Sequence, residues 1–238
     1  MLKKWIIVAT VLAIIIPLFG QTAARASGQT AKRRSAARPS LLQPATLKAQ
    51  APEVYRAKFT TTKGDFVIEV TRAWAPRGAD RFYNLVKNGF YTDAAFFRVL
   101  PGFVAQMGIP ARPDVARIWY SARITDDPVT RSNLRGTVTF ATSGPNSRTS
   151  QIFINYRDNT ALNGMGFAPF GKVIEGMEVV DQFYSGYGER PDQGRITNEG
   201  KAYLDKEFPN LDRVKSAVIV EGAQAAAGKP TTIKKENP

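Results

Sequence analysis

Two short runs near residue 60 alternate bulky and polar positions. Tyr55–Thr62 and Asp65–Val70 flank Lys63-Gly64, and alternation on both sides of a glycine turn predicts a β-hairpin. Pro76 then opens a stretch in which Phe82, Leu85 and Val86 fall on one helical face, and Asn88-Gly89 closes it. Proline in a first turn and glycine past a last one bracket a helix. Further on, Phe96–Val99, Val104–Met107, Gly136–Ala141, Gln151–Asn155, Phe170–Val173 and Ser216–Val220 are short bulky runs bounded by Gly, Pro or Asn, which read as strands. A second helix is expected over Gly176–Phe183. Eight short strands and two helices predict a mainly β chain. The expected form is a closed antiparallel eight-stranded β-barrel capped by two α-helices, because closure leaves no unpaired edge.

The ends read differently. Lys3 and Lys4 precede an apolar run from Trp5 to Phe19, and Ala24-Arg25-Ala26 follows it, the order of a secretory signal. The run contains Pro17 and is shorter than the roughly 20 residues that span a bilayer. Residues 1–26 are therefore expected to be a cleaved signal peptide, making the protein periplasmic or secreted with no stable membrane anchor. The alternative is an uncleaved helix that anchors the chain. Residues 27–52 are rich in Ala, Ser, Gln, Pro, Lys and Arg and read as a flexible basic linker, and 223–238 as a disordered tail. That leaves 53–222 as the folded domain.

The net charge of +13 changes this picture little. Of 33 basic and 20 acidic residues, eight basic and no acidic ones lie in 1–50, and three Lys and one Glu in 222–238. The 22 basic and 19 acidic residues left in 51–221 nearly balance, which argues against a nucleic-acid partner. There is no Cys and no His. Disulfides, thiolate nucleophiles and His-dependent triads are excluded, and a transition metal lacks its usual ligands. No metal or cofactor is expected. Asp126-Asp127, ahead of Pro128, reads as a solvated turn and not a cation site. Gly144-Pro145-Asn146 reads as a turn, since the glycine spacing of a phosphate loop is missing.

Two segments carry the functional reading. The first is Phe97-Arg98-Val99-Leu100-Pro101-Gly102-Phe103-Val104-Ala105-Gln106-Met107-Gly108. The second is Phe140-Ala141-Thr142-Ser143-Gly144-Pro145-Asn146-Ser147-Arg148-Thr149-Ser150-Gln151-Ile152-Phe153-Ile154. In this order they resemble the signature segments of the cyclophilins, as do Leu162-Asn163-Gly164 and Phe170–Met177, and the similarity runs from Tyr55 to Glu221. The resemblance implies a peptidyl-prolyl cis-trans isomerase of the bacterial exported type, a monomer acting on proline-containing polypeptides.

That reaction suits a chain without imidazole or thiol. Rotating an amide costs about 18–20 kcal/mol because the nitrogen lone pair is delocalised into the carbonyl. The two X-Pro isomers differ by only about 0.5–1 kcal/mol, so the obstacle is the barrier. A catalyst needs an apolar slot for the pyrrolidine ring, a donor aimed at the proline nitrogen and contacts that strengthen as the bond twists. By the resemblance Arg98 is the donor, and Arg stays charged with a pre-organised planar fork. Phe103, Phe153 and Leu162 are the expected slot walls, with Phe140 where many cyclophilins have Met. Gln106 and Gln151 are expected to orient Arg98 and the substrate carbonyl. Ala141 and Thr142 are expected to offer backbone groups to an extended peptide.

The chain also departs from the family pattern. Ala161 stands where familiar eukaryotic cyclophilins carry Trp, and Phe167, in Met165-Gly166-Phe167-Ala168-Pro169, aligns with their rim His. Ile109–Arg135 is short and differently composed. Tyr184–Arg213 reads as an insertion with a helix about Asn198–Phe208. A reading from another class is a non-catalytic cyclophilin-like chaperone or scaffold that binds proline-containing peptides. Joint retention of Arg98, Phe103, Gln106 and Phe153 favours the enzyme.

Overall fold

A computed structural model describes residues 40–220. The expected signal peptide, the first part of the linker and the expected tail lie outside the described residues.

The alternating runs form the hairpin. In β1 (Val54–Thr61) every second side chain from Tyr55 to Thr61 is buried, and β2 (Asp65–Thr71) pairs back with Phe59 opposite Phe66. Those two rings stack at 5.0 Å. The remaining strands are β3 (Arg98–Leu100), β4 (Val104–Met107), β5 (Thr137–Phe140), β6 (Ile152–Asn155), β7 (Pro169–Glu175) and β8 (Val214–Val220). They make one eight-stranded sheet in the order β3-β4-β6-β5-β7-β2-β1-β8. Every pairing is antiparallel.

The sheet curls around a core in which Phe59, Phe66, Phe82, Phe96, Phe140 and Phe170 are almost wholly buried. Its terminal strands are not joined by a ladder. They are linked ahead of β3 by a single bridge, Ala95 to Arg213, with Phe96 N–H on Asp212 O at 2.9 Å and Asp93 N–H on Val214 O at 2.8 Å.

Helix α1 (Pro76–Lys87) buries Phe82, Leu85 and Val86 as its spacing requires, and Gly89 leaves it at φ 70°. The second expected helix shrinks to one turn, α4 (Met177–Val180). Beyond it the bonds tighten to Gln182 on Val179 and Phe183 on Val180, both 3.2 Å. This tighter turn lays Phe183 on Phe96 at 3.9 Å between ring centroids, so packing outweighs helix continuation.

Three seven-residue helices and a single turn, α3 (Ala161–Gly164), complete the described fold. One of the three is α2 (Pro113–Trp119), inside the short, differently composed segment Ile109–Arg135. The others are α5 (Gln193–Glu199) and α6 (Lys201–Glu207) in the insertion. The single helix expected there is broken at Gly200, whose φ of 63° suits glycine and whose Cβ position is filled by Ala111 and Pro113.

The segment expected to be linker is not free throughout. Within it, Leu47 and Ala51 are buried, Ala51 N–H donates to Asp80 Oδ1 at 2.9 Å, and Asn84 Nδ2 donates to Ala49 O at 2.7 Å. Trp119, buried in α2, donates its indole N–H to Leu41 O at 2.7 Å. The polar composition of residues 40–52 concealed this packing, because most of its bonds are made by backbone groups.

Candidate active site

Strand register builds the site. Directly opposed residues of an antiparallel pair share a face, and the pairings Arg98–Gln106, Gln106–Phe153 and Phe153–Thr139 run across β3, β4, β6 and β5. This row lies on the sheet face turned away from the main core. Val104, Phe153 and Leu162 form a separate small apolar cluster there, with Phe103, Ala141 and Phe167 packed against it. Together they line a cleft of about 240 Å³ with Arg98, Gln106, Thr142 and Met165. Phe153 and Phe167 meet edge to face at 5.7 Å.

The Arg98 guanidinium stands over the Phe103 ring, 5.6 Å from its centroid, and its Nη1 donates to Gln106 Oε1 at 3.3 Å. Gln106 Nε2 donates in turn to Gln151 Oε1 at 2.8 Å. Each amide has its carbonyl committed to the preceding donor, so the chain has a direction. Among the described residues lining the cleft, Arg98 carries the one full charge, beside an apolar wall that excludes water. A fixed cation in such surroundings acts more strongly on a neighbouring dipole than it would in bulk solvent.

Gln151 itself lies just outside the apolar cleft, in an adjoining polar groove with Thr142, Ser147 and Thr149. Ala141 donates its N–H to Gln151 O at 2.9 Å, so the backbone contact expected of it narrows to its carbonyl. Phe140 is a correction. It pairs with Ile152, points into the main core with 1% of its surface exposed, and packs on Phe170 at 5.1 Å. The pleat sends Phe140 and Phe153 to opposite faces, so Phe140 does not line the cleft.

Four buried or half-buried asparagines hold the cleft's far wall, and none was singled out as such in the sequence. Asn133 Nδ2 donates to Asn163 Oδ1 and to Phe167 O, both 2.9 Å. Asn155 Nδ2 donates to Asn133 Oδ1 at 3.3 Å, and Asn159 Nδ2 to Asn155 Oδ1 at 2.8 Å and Phe103 O at 2.9 Å. Phe103 and Phe167, on opposite sides of the slot, are thus tied through one polar network, and a satisfied buried network of this kind rigidifies. Its signal in the sequence was the run of Asn at 155, 159 and 163, at helical spacing.

Asp126-Asp127 is also a correction. The Asp127 side chain is fully buried, accepts from Gly78 N–H at 2.9 Å and Arg77 N–H at 3.1 Å, and pairs with buried Arg148 at 3.0 Å. It caps α1 from a distant loop, where amide groups and the helix dipole favour a carboxylate. Asp126 accepts from Arg148 Nε at 3.1 Å. Among the described residues no group of three or more acids is placed to hold a metal.

A sequence model of the family described as "Cyclophilin type peptidyl-prolyl cis-trans isomerase/CLD" matches residues 56–201, ending before β8. The chain is 41% identical to a peptidyl-prolyl cis-trans isomerase of Acinetobacter baylyi over 128 residues, covering 51% of this chain and 68% of that one. It is 35% identical to peptidyl-prolyl cis-trans isomerase B of Escherichia coli over 176 residues, covering 68% and 97%. A crystal structure of a Cryptosporidium parvum cyclophilin-type isomerase superposes with a TM-score of 0.55 at 23% identity, over 71% of this chain and 99% of that chain. The same protein was also solved in the presence of the dipeptide Ala-Pro. With family, relatives and fold in agreement, the chain belongs to the cyclophilin-type peptidyl-prolyl cis-trans isomerases and is an enzyme of that activity.

Proposed function

We propose that this isomerase turns X-Pro bonds of unfolded or flexible proteins outside the cytoplasm, as a monomeric, exported bacterial cyclophilin. The proline ring sits in the cleft between Phe103, Phe153, Leu162 and Phe167. Arg98 donates to the proline nitrogen as the lone pair localises there, and Gln106 and Gln151 orient Arg98 and the substrate carbonyl. Ala141 and Thr142 align the peptide. The observation that carries this reading is a single oriented guanidinium at the edge of an apolar slot. The site needs no proton transfer, so rotation follows from differential stabilisation of the twisted amide alone. The Ala-Pro dipeptide with the Cryptosporidium relative supports proline-containing peptides as the ligand class. The Ala95–Arg213 bridge supports reading the curled sheet as a barrel completed by a short seam.

Export rests on Lys3-Lys4, the Trp5–Phe19 run and Ala24-Arg25-Ala26. Intact mass of the protein from its own host is expected to give a chain that begins at Ser27. Full-length chain recovered with membranes would select the anchored alternative.

A second expectation concerns cyclosporin. Ala161 opens the single turn α3 (Ala161–Gly164), exposed beside the slot residue Leu162. It supplies neither the indole N–H nor the aromatic cover of the Trp found there in familiar eukaryotic cyclophilins. Missing one hydrogen bond and one aromatic contact weakens inhibition by about two to three decades, or about 2–4 kcal/mol. Turnover should survive, since Ala161 lies outside the cleft lining. Inhibition titrations of the unaltered protein and of Ala161→Trp, in one protease-coupled assay on an Ala-Pro-Phe peptide, check this. Tight inhibition without the substitution contradicts it.

A further inference from the structure

Two residues near the start of the insertion 184–213 reach the two ends of the Arg98–Gln106–Gln151 hydrogen-bond chain. Glu189 Oε1 accepts from Arg98 Nε at 2.5 Å, and Gln193 Oε1 accepts from Gln151 Nε2 at 3.2 Å. With Gln106 on Nη1, Arg98 is gripped on two sides of its fork by groups from two separate segments. The remaining N–H groups are left for substrate.

The segment that delivers Glu189 is itself anchored. Ile196, Tyr203, Leu204 and Phe208 bury against Phe97, Ile109 and Ala116 in a hydrophobic cluster separate from the main core. Before Glu189, Tyr187 packs edge to face on Phe208 at 5.1 Å. After it, Asp192 caps α5 by accepting from Arg195 N–H at 2.7 Å and donates its own N–H to Tyr203 OH at 3.1 Å. Glu189 therefore bridges two fixed points.

We infer that Glu189 is a positioning residue for prolyl isomerisation: it holds the Arg98 guanidinium in its working orientation from the outer side of the cleft. This rests on the proposed role of Arg98 as the donor to substrate. The Glu189 side chain is 61% exposed, and exposed ion pairs add little to stability. Its consequence therefore falls on turnover. An arginine free to sample rotamers must be ordered at each catalytic event, and a pre-oriented one need not be.

The test measures proline-isomer exchange by NMR across substrate concentrations. Glu189→Ala should lower kcat by about three- to tenfold with KM little changed. Glu189→Gln, which keeps an acceptor on Nε, should restore most of that loss. In an Arg98→Ala background Glu189→Ala should have no further effect. Turnover unchanged or raised in Glu189→Ala, or losses that multiply with Arg98→Ala, would overturn the inference.

The Arg98 Nε–H resonance is a readout independent of activity. It should be sharp and slowly exchanging in the unaltered protein and should broaden in Glu189→Ala. A signal already broad in the unaltered protein would overturn the inference even if the enzyme is active. Full activity in Arg98→Ala, with the Nε–H signal sharp and Glu189-dependent, would instead remove the role of Arg98 while leaving its contact with Glu189 in place.

Discussion

Replacing Arg98 with alanine is expected to lower kcat/KM by about two to three decades, or about 3–4 kcal/mol, with the fold intact. The barrier arises from the amide nitrogen lone pair, and the strongest donor in the cleft is the guanidinium that stands over Phe103 and is held by Gln106. Gln106 cannot take its place, because its amide carries no full charge and one of its two N–H groups is already donated to Gln151. The apolar slot remains in the variant, so substrate still binds and the loss falls mainly on kcat. Stability should change by less than about 1 kcal/mol, since the ion pair lost is with an exposed Glu189. Arg98→Lys should recover only part of the activity, because an ammonium cannot meet Glu189, Gln106 and substrate from one planar fork. Circular dichroism with an isomerase assay on the same preparation checks both halves. Unchanged isomerisation in a folded Arg98→Ala protein would remove this residue from the mechanism.

What the sequence disclosed depended on how local its cause was. The Tyr55–Val70 hairpin was legible because alternation and a Lys-Gly turn are written into adjacent residues, and the pairing of Phe59 with Phe66 follows from them. Helix α1 was legible for the same reason. Helix α2 was not, since two turns with Val115, Ala116 and Trp119 on one face are too short for a helical period to stand out. Arg98, Phe103, Gln106, Phe153 and Leu162 were identified by resemblance, and they converge on one cleft. Phe140 was assigned there by the same resemblance, yet strand parity counted from Phe153 through the β5–β6 register places it with Ile152 in the core. Glu189 and Gln193 gave no signal at all. Their contacts cross 91 and 42 positions of sequence, and nothing local marks an exposed Glu as the neighbour of a particular Arg.

A different miss carries the largest expected effect on stability. Asp127 looked like an ordinary turn acid, but its carboxylate is wholly buried and shared by Arg148 and the first amides of α1. Removing one partner of a buried ion pair strands the other, at a cost of about 3–5 kcal/mol. In Asp127→Ala, Arg148 keeps Asp126 and the Thr125 carbonyl, but its Nη1 loses the buried carboxylate and two helix amides lose their acceptor. At about 2–4 °C per kcal/mol for a domain of this size, Tm should fall by about 6–20 °C. Asp127→Asn should fall less, because its side-chain oxygen still serves one amide. Adding Arg148→Met to Asp127→Ala should restore part of the loss, since the stranded charge goes with it. The damage should also reach the site, because Arg148 stands three residues before Gln151 and two after Asn146, which accepts from Asp126 N–H at 2.9 Å. Activity well below Tm should therefore drop, though less than in Arg98→Ala. Differential scanning calorimetry of the four proteins, with the isomerase assay at low temperature, measures both effects. A Tm within about 2 °C of the unaltered protein in Asp127→Ala would mean that water reaches Arg148 when its partner is gone, and that the pair does not hold α1 to the loop.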